Sequence, residues 1–221
     1  ILRPVIAVLQ PIVLALLVAA AILLIAGHNP LDVYTLLAVE SFGSLKRITA
    51  TLSASTPLIF TGLASAIAFR TGAFNVGIEG CVNVGGLAAA FVGFTFLSLS
   101  GYVLLPMAIL ASIVAGTLWM VIPALLKSRL DVDEVVTTLM LNFIAISLTA
   151  WLVNGPLLAP GAANSATPTI ADAARLPRLM RGLTLNVGFV LALFCVVLYW
   201  LWGKWTALGF ETRLAGMNAR F

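Results

Sequence analysis

The sequence predicts an all-α polytopic membrane protein, a bundle of five or six transmembrane helices. Three observations carry this prediction. Of 221 residues, 62% are apolar and 9% are charged, whereas soluble domains carry about 25% charged residues. Several apolar runs reach the roughly 20 residues that a helix needs to cross a hydrocarbon core of about 30 Å. These runs are continuous, and a barrel would instead show alternating segments of about ten residues.

Val5 to Ala26 is the first run, with Gln10 and Pro11 as its only breaks. It is too long and uniform for the core of a cleaved signal peptide. Ile48 to Phe69 is more polar and has Pro57 in its middle. Thr49, Ser53 and Thr56 share one face of it, Thr51 and Ser55 a neighbouring one, and Pro57 releases a carbonyl that needs another partner. That pattern predicts a helix inside the bundle. Cys81 to Leu99 is rich in Gly and Ala, Val103 to Leu126 ends near Pro123, Val135 to Val153 follows a charged turn, and Thr184 to Trp202 completes the set. The total is five or six according to whether Cys81 to Leu99 spans fully.

Lys and Arg in short loops set orientation. With a cytoplasmic N-terminus and six alternating spans, the inside holds Arg3, Arg70, Lys127, Arg129, Lys204, Arg213 and Arg220. The outside holds Lys46, Arg47, Arg175, Arg178 and Arg181, so seven against five favours the N-terminus inside. Two loops are long enough to hold structure of their own, Gly27 to Arg47 and Asn154 to Leu183. The second contains Pro156, Pro160, Pro168 and Pro177 and reads as an extended, turn-rich external cap. Ile1 in place of an initiator Met, and an end at Phe221 after a basic stretch, read as part of something longer.

Absences narrow the chemistry. The chain has no G-x-x-x-x-G-K-[ST] phosphate loop, no G-x-G-x-x-G and no G-x-S-x-G, hence no recognisable grip on ATP or a dinucleotide and no elbow serine. His28 is the only histidine and reads as an interfacial turn residue beside Asn29 and Pro30. Cys81 and Cys195 read as free, buried small hydrophobes. The chain is therefore read as a non-enzyme, with no catalytic residue, no metal site and no cofactor of its own.

Polarity inside apolar spans remains to be explained. Thr138, Asn142, Ala145 and Thr149 are spaced by four, three and four, which keeps them on one narrow strip of a helix. Such a strip is either packing glue between helices or one wall of a hydrated pathway, and for the helix alone packing is the more common use. Just upstream, Asp131 precedes Glu134 by three residues, a spacing that resembles a capping box with Asp at the cap. The stretch FRTGAFNVGIEGC, residues 69–81, is polar and broken by Gly72, Gly77 and Gly80. Glu79 within it is either interfacial or partnered, because an acid at a helix centre costs about 2.5 to 3.5 kcal/mol on insertion scales. A cytoplasmic turn and a broken-helix site both fit.

Three segments carry a resemblance. TPLIFTGLASAIAFRTGAFNVGIEGCVNVGGLAAAFVG, DEVVTTLMLNFIAISL and ALGFETRLAGMNARF resemble, in family order, the motifs of bacterial ABC importer permeases of the branched-chain amino acid and simple-sugar superfamily. The nucleoside subgroup, associated with basic-membrane-protein-type lipoproteins, is the most similar. The resemblance frames residues 57–221 and implies the N-terminal part of a permease domain (1–221) that lacks further C-terminal helices. It implies an external loop at 154–183 and a cytoplasmic coupling segment at 204–221. Its expected partners are ABC ATPase subunits that hold the ATP, a second permease subunit, a substrate-binding lipoprotein and the bilayer of the bacterial inner membrane, with no nucleic acid.

Carried onto this chain, the motifs implicate Phe74, Asn75, Gly77, Glu79, Gly80, Thr138, Met140, Leu141 and Asn142 near the solute path. Of these, Phe74, Asn75, Glu79, Thr138 and Asn142 are the candidate pathway residues. Gly209, Arg213, Gly216 and Asn218 are the candidate residues for coupling to the ATPase. Cys81 departs from the Gln common in the family, which removes a hydrogen-bonding group expected at the path. The expected function is the permease subunit of an ATP-driven importer for a nucleoside or simple sugar. The alternatives are an ion-coupled secondary carrier using Glu79, and a membrane scaffold that transports nothing.

Overall fold

A computed structural model describes residues 2–217, with side chains from residue 9 onward. Asn218 therefore lies outside the described residues. The fold is all-α, as the composition requires, with eight helices among the described residues. Five are long and apolar enough to cross a membrane: α3 (Leu45–Arg70), α4 (Ile78–Thr95), α5 (Gly101–Leu130), α6 (Glu134–Asn154) and α7 (Val187–Trp205). The Gly- and Ala-rich run thus forms a spanning-length helix. Helix α1 (Leu2–Ile25) covers most of the first predicted run, and its described side chains begin at Leu9. Two short helices, α2 (Pro30–Phe42) and α8 (Ala207–Met217), follow α1 and α7.

The chain divides into two compact units, one of residues 1–54 with 180–185 and one of residues 55–179 with 186–221. In the first, α2 occupies the loop expected to hold structure. Asn29 caps it by accepting from the Leu31 amide at 3.1 Å, and Pro30 supplies a preset first turn. Tyr34 donates its hydroxyl to the Leu16 carbonyl at 2.6 Å, tying α2 to α1. Arg47 pairs with Glu40 at 2.6 Å, and Thr51 donates to the Ser41 carbonyl at 3.1 Å, fixing the turn into α3.

Helix α3 departs from its expected burial. Thr49 is its one buried residue, and Leu58 is 69% exposed. The Thr49 and Thr61 hydroxyls donate to carbonyls of their own helix, so they need no neighbouring helix to satisfy them. Polarity at these positions is absorbed locally.

In the second unit, α4 packs along α5 and α6 through small residues. Its buried positions are Gly80, Gly85 and Gly93, against Leu104, Ala108 and Pro123 of α5 and Thr138, Asn142 and Ala145 of α6. Close approach of this kind replaces the hydrophobic drive that lipid cannot supply. The segment after α6 folds over one end of α4 and α5: the Ala171 amide donates to the Gly93 carbonyl at 3.0 Å, and a single 3₁₀ turn at Asp172–Ala174 packs on Gly101.

From Ser55 onward α3 runs parallel to α7. Thr56 lies near Gly188, the Tyr199 hydroxyl donates to the Ala66 carbonyl at 3.4 Å, and Arg70 lies on Gly203. Their C-terminal ends therefore sit side by side. Thr206 makes the elbow into α8, donating to the Trp202 carbonyl at 2.6 Å and accepting from the Gly209 amide at 3.1 Å.

A Cβ on Gly85 would lie 3.0 Å from both the Ser112 carbonyl and its hydroxyl oxygen, whereas Gly86 faces open space. Gly85→Val should lower the thermal stability of the purified protein, by about 1–3 kcal/mol for overpacking. Gly86→Val should leave the melting midpoint in detergent nearly unchanged.

Candidate functional site

The polar stretch singled out in the sequence is a break between two spanning helices. Helix α3 ends at Arg70, and Gly72 adopts φ +80°, a left-handed cap that a glycine takes without a Cβ penalty. The Ala73 amide returns to the Ala68 carbonyl at 3.0 Å. Residues 73–76 are irregular, and α4 begins at Ile78. Irregular backbone in a membrane protein needs partners for its polar groups, because lipid offers none.

Helix α6 supplies them, from side chains one helical turn apart. Glu134 accepts from the Phe74 amide at 2.6 Å and Thr138 accepts from the Val76 amide at 3.2 Å. Asn142 does both jobs, donating to the Val76 carbonyl at 2.8 Å and accepting from the Gly80 amide at 2.8 Å. Asn75 closes the set by accepting from the Gly77 amide at 2.6 Å. A side chain on Gly80 would stand 2.9 Å from the Asn142 oxygen and 3.3 Å from the Ala145 Cβ, so α4 and α6 can approach this closely only at a glycine. The strip Thr138, Asn142, Ala145 is buried as a result. Thr138 and Asn142 bond from α6 to the backbone of the break and of α4, so here the strip serves as interhelical packing glue.

The remaining candidates divide clearly. Phe74 is 61% exposed, with its ring 5.8 Å from that of Phe69, and Asn75 is half-buried against Met120. Glu79 is exposed on the first turn of α4 and has no ion-pair partner among the described residues. Met140 is exposed. Cys81 faces α5, its thiol donating to the Gly116 carbonyl at 3.7 Å, so the departure from Gln falls on a helix contact. The indole N–H of Trp119 is buried without an acceptor close to Gly80.

Beside the break runs a groove of about 580 Å³ between α4 and α6. Its polar residues are Asn83, Thr149, Asn154 and Ser165, the last two hydrogen-bonded to each other. Glu79, Asn83, Gly86 and Ala90 are spaced by four, three and four, so Glu79 continues the groove face of α4 at the end near the break. Asn83 was missed in the sequence, although its spacing from Glu79 was the available signal.

The charged turn before α6 also differs from expectation. Asp133 caps α6, accepting from the Val135 and Val136 amides at 2.8 and 3.1 Å. Asp131 instead ends α5 in a left-handed conformation, where its pairing with Lys127 at 2.7 Å holds its carboxyl below the usual range. Helix α5 runs through to Leu130, which moves the cap two residues along.

Of the coupling candidates, Gly209 is buried in the elbow, where a Cβ would meet the Trp202 carbonyl and Gly203. Gly216 packs on the Arg70 carbonyl and the Gly72 amide, and Arg213 is exposed. The structure thus brings α8 directly against the start of the break.

Asn142→Leu should leave the Val76 carbonyl and the Gly80 amide unpaired, at about 1–3 kcal/mol for the buried Gly80 amide and less for the part-buried Val76 carbonyl. Thr138→Val should cost less, having one partner in the break. Hydrogen exchange should accelerate at residues 74–80 in both variants and stay unchanged in the middle of α5.

The family model for the permease component of branched-chain amino acid transport systems matches residues 47–221. A guanosine ABC transporter permease of Bacillus subtilis is 36% identical over 212 residues, covering 94% of this chain and 60% of its own length. A glucose ABC transporter permease of Haloferax volcanii is 35% identical, with 93% and 57% covered, and a nucleoside ABC transporter permease of Lactococcus lactis is 30% identical, with 98% and 62% covered. The chain therefore spans about 60% of the length of these curated relatives. No solved structure matches it. On the extent of these matches and its five spanning-length helices, the chain is a multi-pass membrane protein and belongs to the family of branched-chain amino acid transport permease components.

Proposed function

We propose that the protein forms the membrane pathway of an ATP-driven importer for a small polar solute, a nucleoside or a simple sugar. The observation that carries this reading is the groove of α4 and α6, mostly apolar but carrying Asn83, Thr149, Asn154 and Ser165, which begins next to a helix break held by α6 side chains. Asn83 and Thr149 offer neutral polar groups suited to hydroxyls and amides, and Glu79 offers an acceptor at the groove's end. Phe74 and Asn75 belong to the break next to the path, Asn75 facing Met120 of α5, and act on the path through that backbone. Thr138 and Asn142 act on it by holding the backbone that shapes it. The solute classes follow the names of the similar permeases for guanosine, nucleosides and glucose.

ATP is bound and hydrolysed on separate ATPase subunits, a second permease subunit completes the pathway, and a binding lipoprotein delivers the solute. The protein resides in the bacterial inner membrane with its N-terminus cytoplasmic, and residues 154–183 lie outside. The coupling segment is 204–221. Its helix α8 touches Arg70 and Gly72 through Gly216, so a displacement by the ATPase passes to the break and on to α4. Rocking of this kind requires only modest contacts with the solute.

In the assembled importer, Arg213→Glu should uncouple ATP hydrolysis from uptake and leave membrane insertion intact. Normal uptake with unchanged lipoprotein-stimulated hydrolysis would refute the coupling role. Asn83→Leu should reduce uptake while hydrolysis continues. Glu79, without an ion-pair partner among the described residues, favours one second reading, an ion-coupled carrier. Uptake that persists on ATP after the ion gradient is collapsed, in both wild type and Glu79→Gln, excludes it.

A further inference from the structure

A cavity of about 480 Å³ opens where the ends of α3 and α7 meet α8, lined by Arg70, Lys204 and Arg213 together with Tyr199, Trp200 and Phe210. Among the described residues no carboxylate lines it. The ion pairs among the described residues, Arg47–Glu40, Lys127–Asp131 and Arg175–Asp172, all lie elsewhere. Glu211 is two residues from Arg213 on α8, hence about 200° away around the helix. Three cations thus line one cavity with no counter-charge among the described residues.

Two of them are held in position by aromatic faces. The Arg70 guanidinium carbon lies 5.3 Å from the Tyr199 ring centroid, and the Lys204 ammonium lies 4.9 Å from that of Trp200. Arg70 also lies flush on Gly203, where any side chain would collide with its Nη1. Arg70 and Lys204 are therefore ordered in advance of any ligand, which reduces the entropy lost on binding.

We propose that this cavity binds the phosphate of an anionic membrane lipid. A free phosphate would satisfy the same charges, but the surroundings fit a lipid better. Leu193, Val197, Trp200 and Lys204 are spaced by four, three and four along α7, and the first three are 46%, 53% and 55% exposed. An apolar strip therefore leads from the cavity along the spanning helix, where an acyl chain would lie. Tyr199, Trp200, Trp202 and Trp205 cluster at this end of α7, as residues do at headgroup depth. Basic pockets between helices at that depth suit anionic headgroups.

The test reconstitutes the purified chain in phosphatidylcholine bilayers doped with brominated phosphatidylglycerol or brominated phosphatidylcholine and reads tryptophan quenching. Wild type should be quenched at a lower mole fraction of the phosphatidylglycerol, and Trp200→Phe should remove much of that component. Lys204→Gln and Arg213→Gln should each weaken the preference about fivefold, while Lys204→Arg, which retains the charge, should keep it and control for folding. Equal quenching by the two lipids, or glutamine variants that behave as wild type, would overturn the proposal. Displacement of the quenching by millimolar inorganic phosphate would identify a free-anion site instead. A preference that vanishes when the second permease subunit is present would assign the surface to a protein contact, also against the proposal.

Discussion

Asn142 holds both sides of a helix break, its amide nitrogen on the Val76 carbonyl and its oxygen on the Gly80 amide. A chain that leaves helical geometry inside a membrane protein must find partners for its freed amides and carbonyls, and here one buried side chain supplies two of them. Thr138 and Glu134 extend the same ladder toward the end of α3. Gly80 allows the approach, because a larger residue would displace the amide it must present to Asn142. The position of α4, and with it the direction in which Glu79 and Asn83 face, follows from this constraint.

The break has neighbours on two sides. On one, α6 pins it through side chains. On the other, Gly216 of α8 lies against the Arg70 carbonyl and the Gly72 amide. A short helix outside the spanning set therefore touches a segment whose geometry is fixed by a spanning helix. Packed elements of this kind move as units, since interiors at organic-crystal density transmit displacement and do not absorb it. The same corner gathers Arg70, Lys204 and Arg213 around a cavity, so charge and contact meet at one end of α3 and α7.

Most of the fold was legible because span length and continuous apolarity are local properties. The runs from Ile48, Cys81, Val103, Val135 and Thr184 all became helices of spanning length. The strip Thr138, Asn142, Ala145 was visible by its spacing. Its partners were not, because Val76 and Gly80 lie 66 and 62 residues away in sequence. Capping depended on a left-handed residue at Asp131, which moved the cap to Asp133. Of the face predicted to be buried on α3, Thr49 alone is buried, and its hydroxyl bonds within its own helix while Thr51 and Ser53 reach the Ser41 and Thr184 carbonyls. Asn83 gave no signal as a lone amide and gains meaning only on the face that Glu79 begins.

The proposed pathway requires that α4 turn one face, Glu79, Asn83, Gly86 and Ala90, to water, while Gly77, Gly80 and Asn142 stay sealed in the pinned break. Single cysteines introduced at each of these positions in a Cys81→Ala, Cys195→Ala background, in the full assembly, can be probed with a small water-soluble thiol reagent. Labelling is expected at 79, 83, 86 and 90, slowed by the transported solute, and none at 77, 80 or 142 in variants that retain the fold. Labelling at 142 as fast as at 83, or labelling along α4 without helical periodicity, would contradict it.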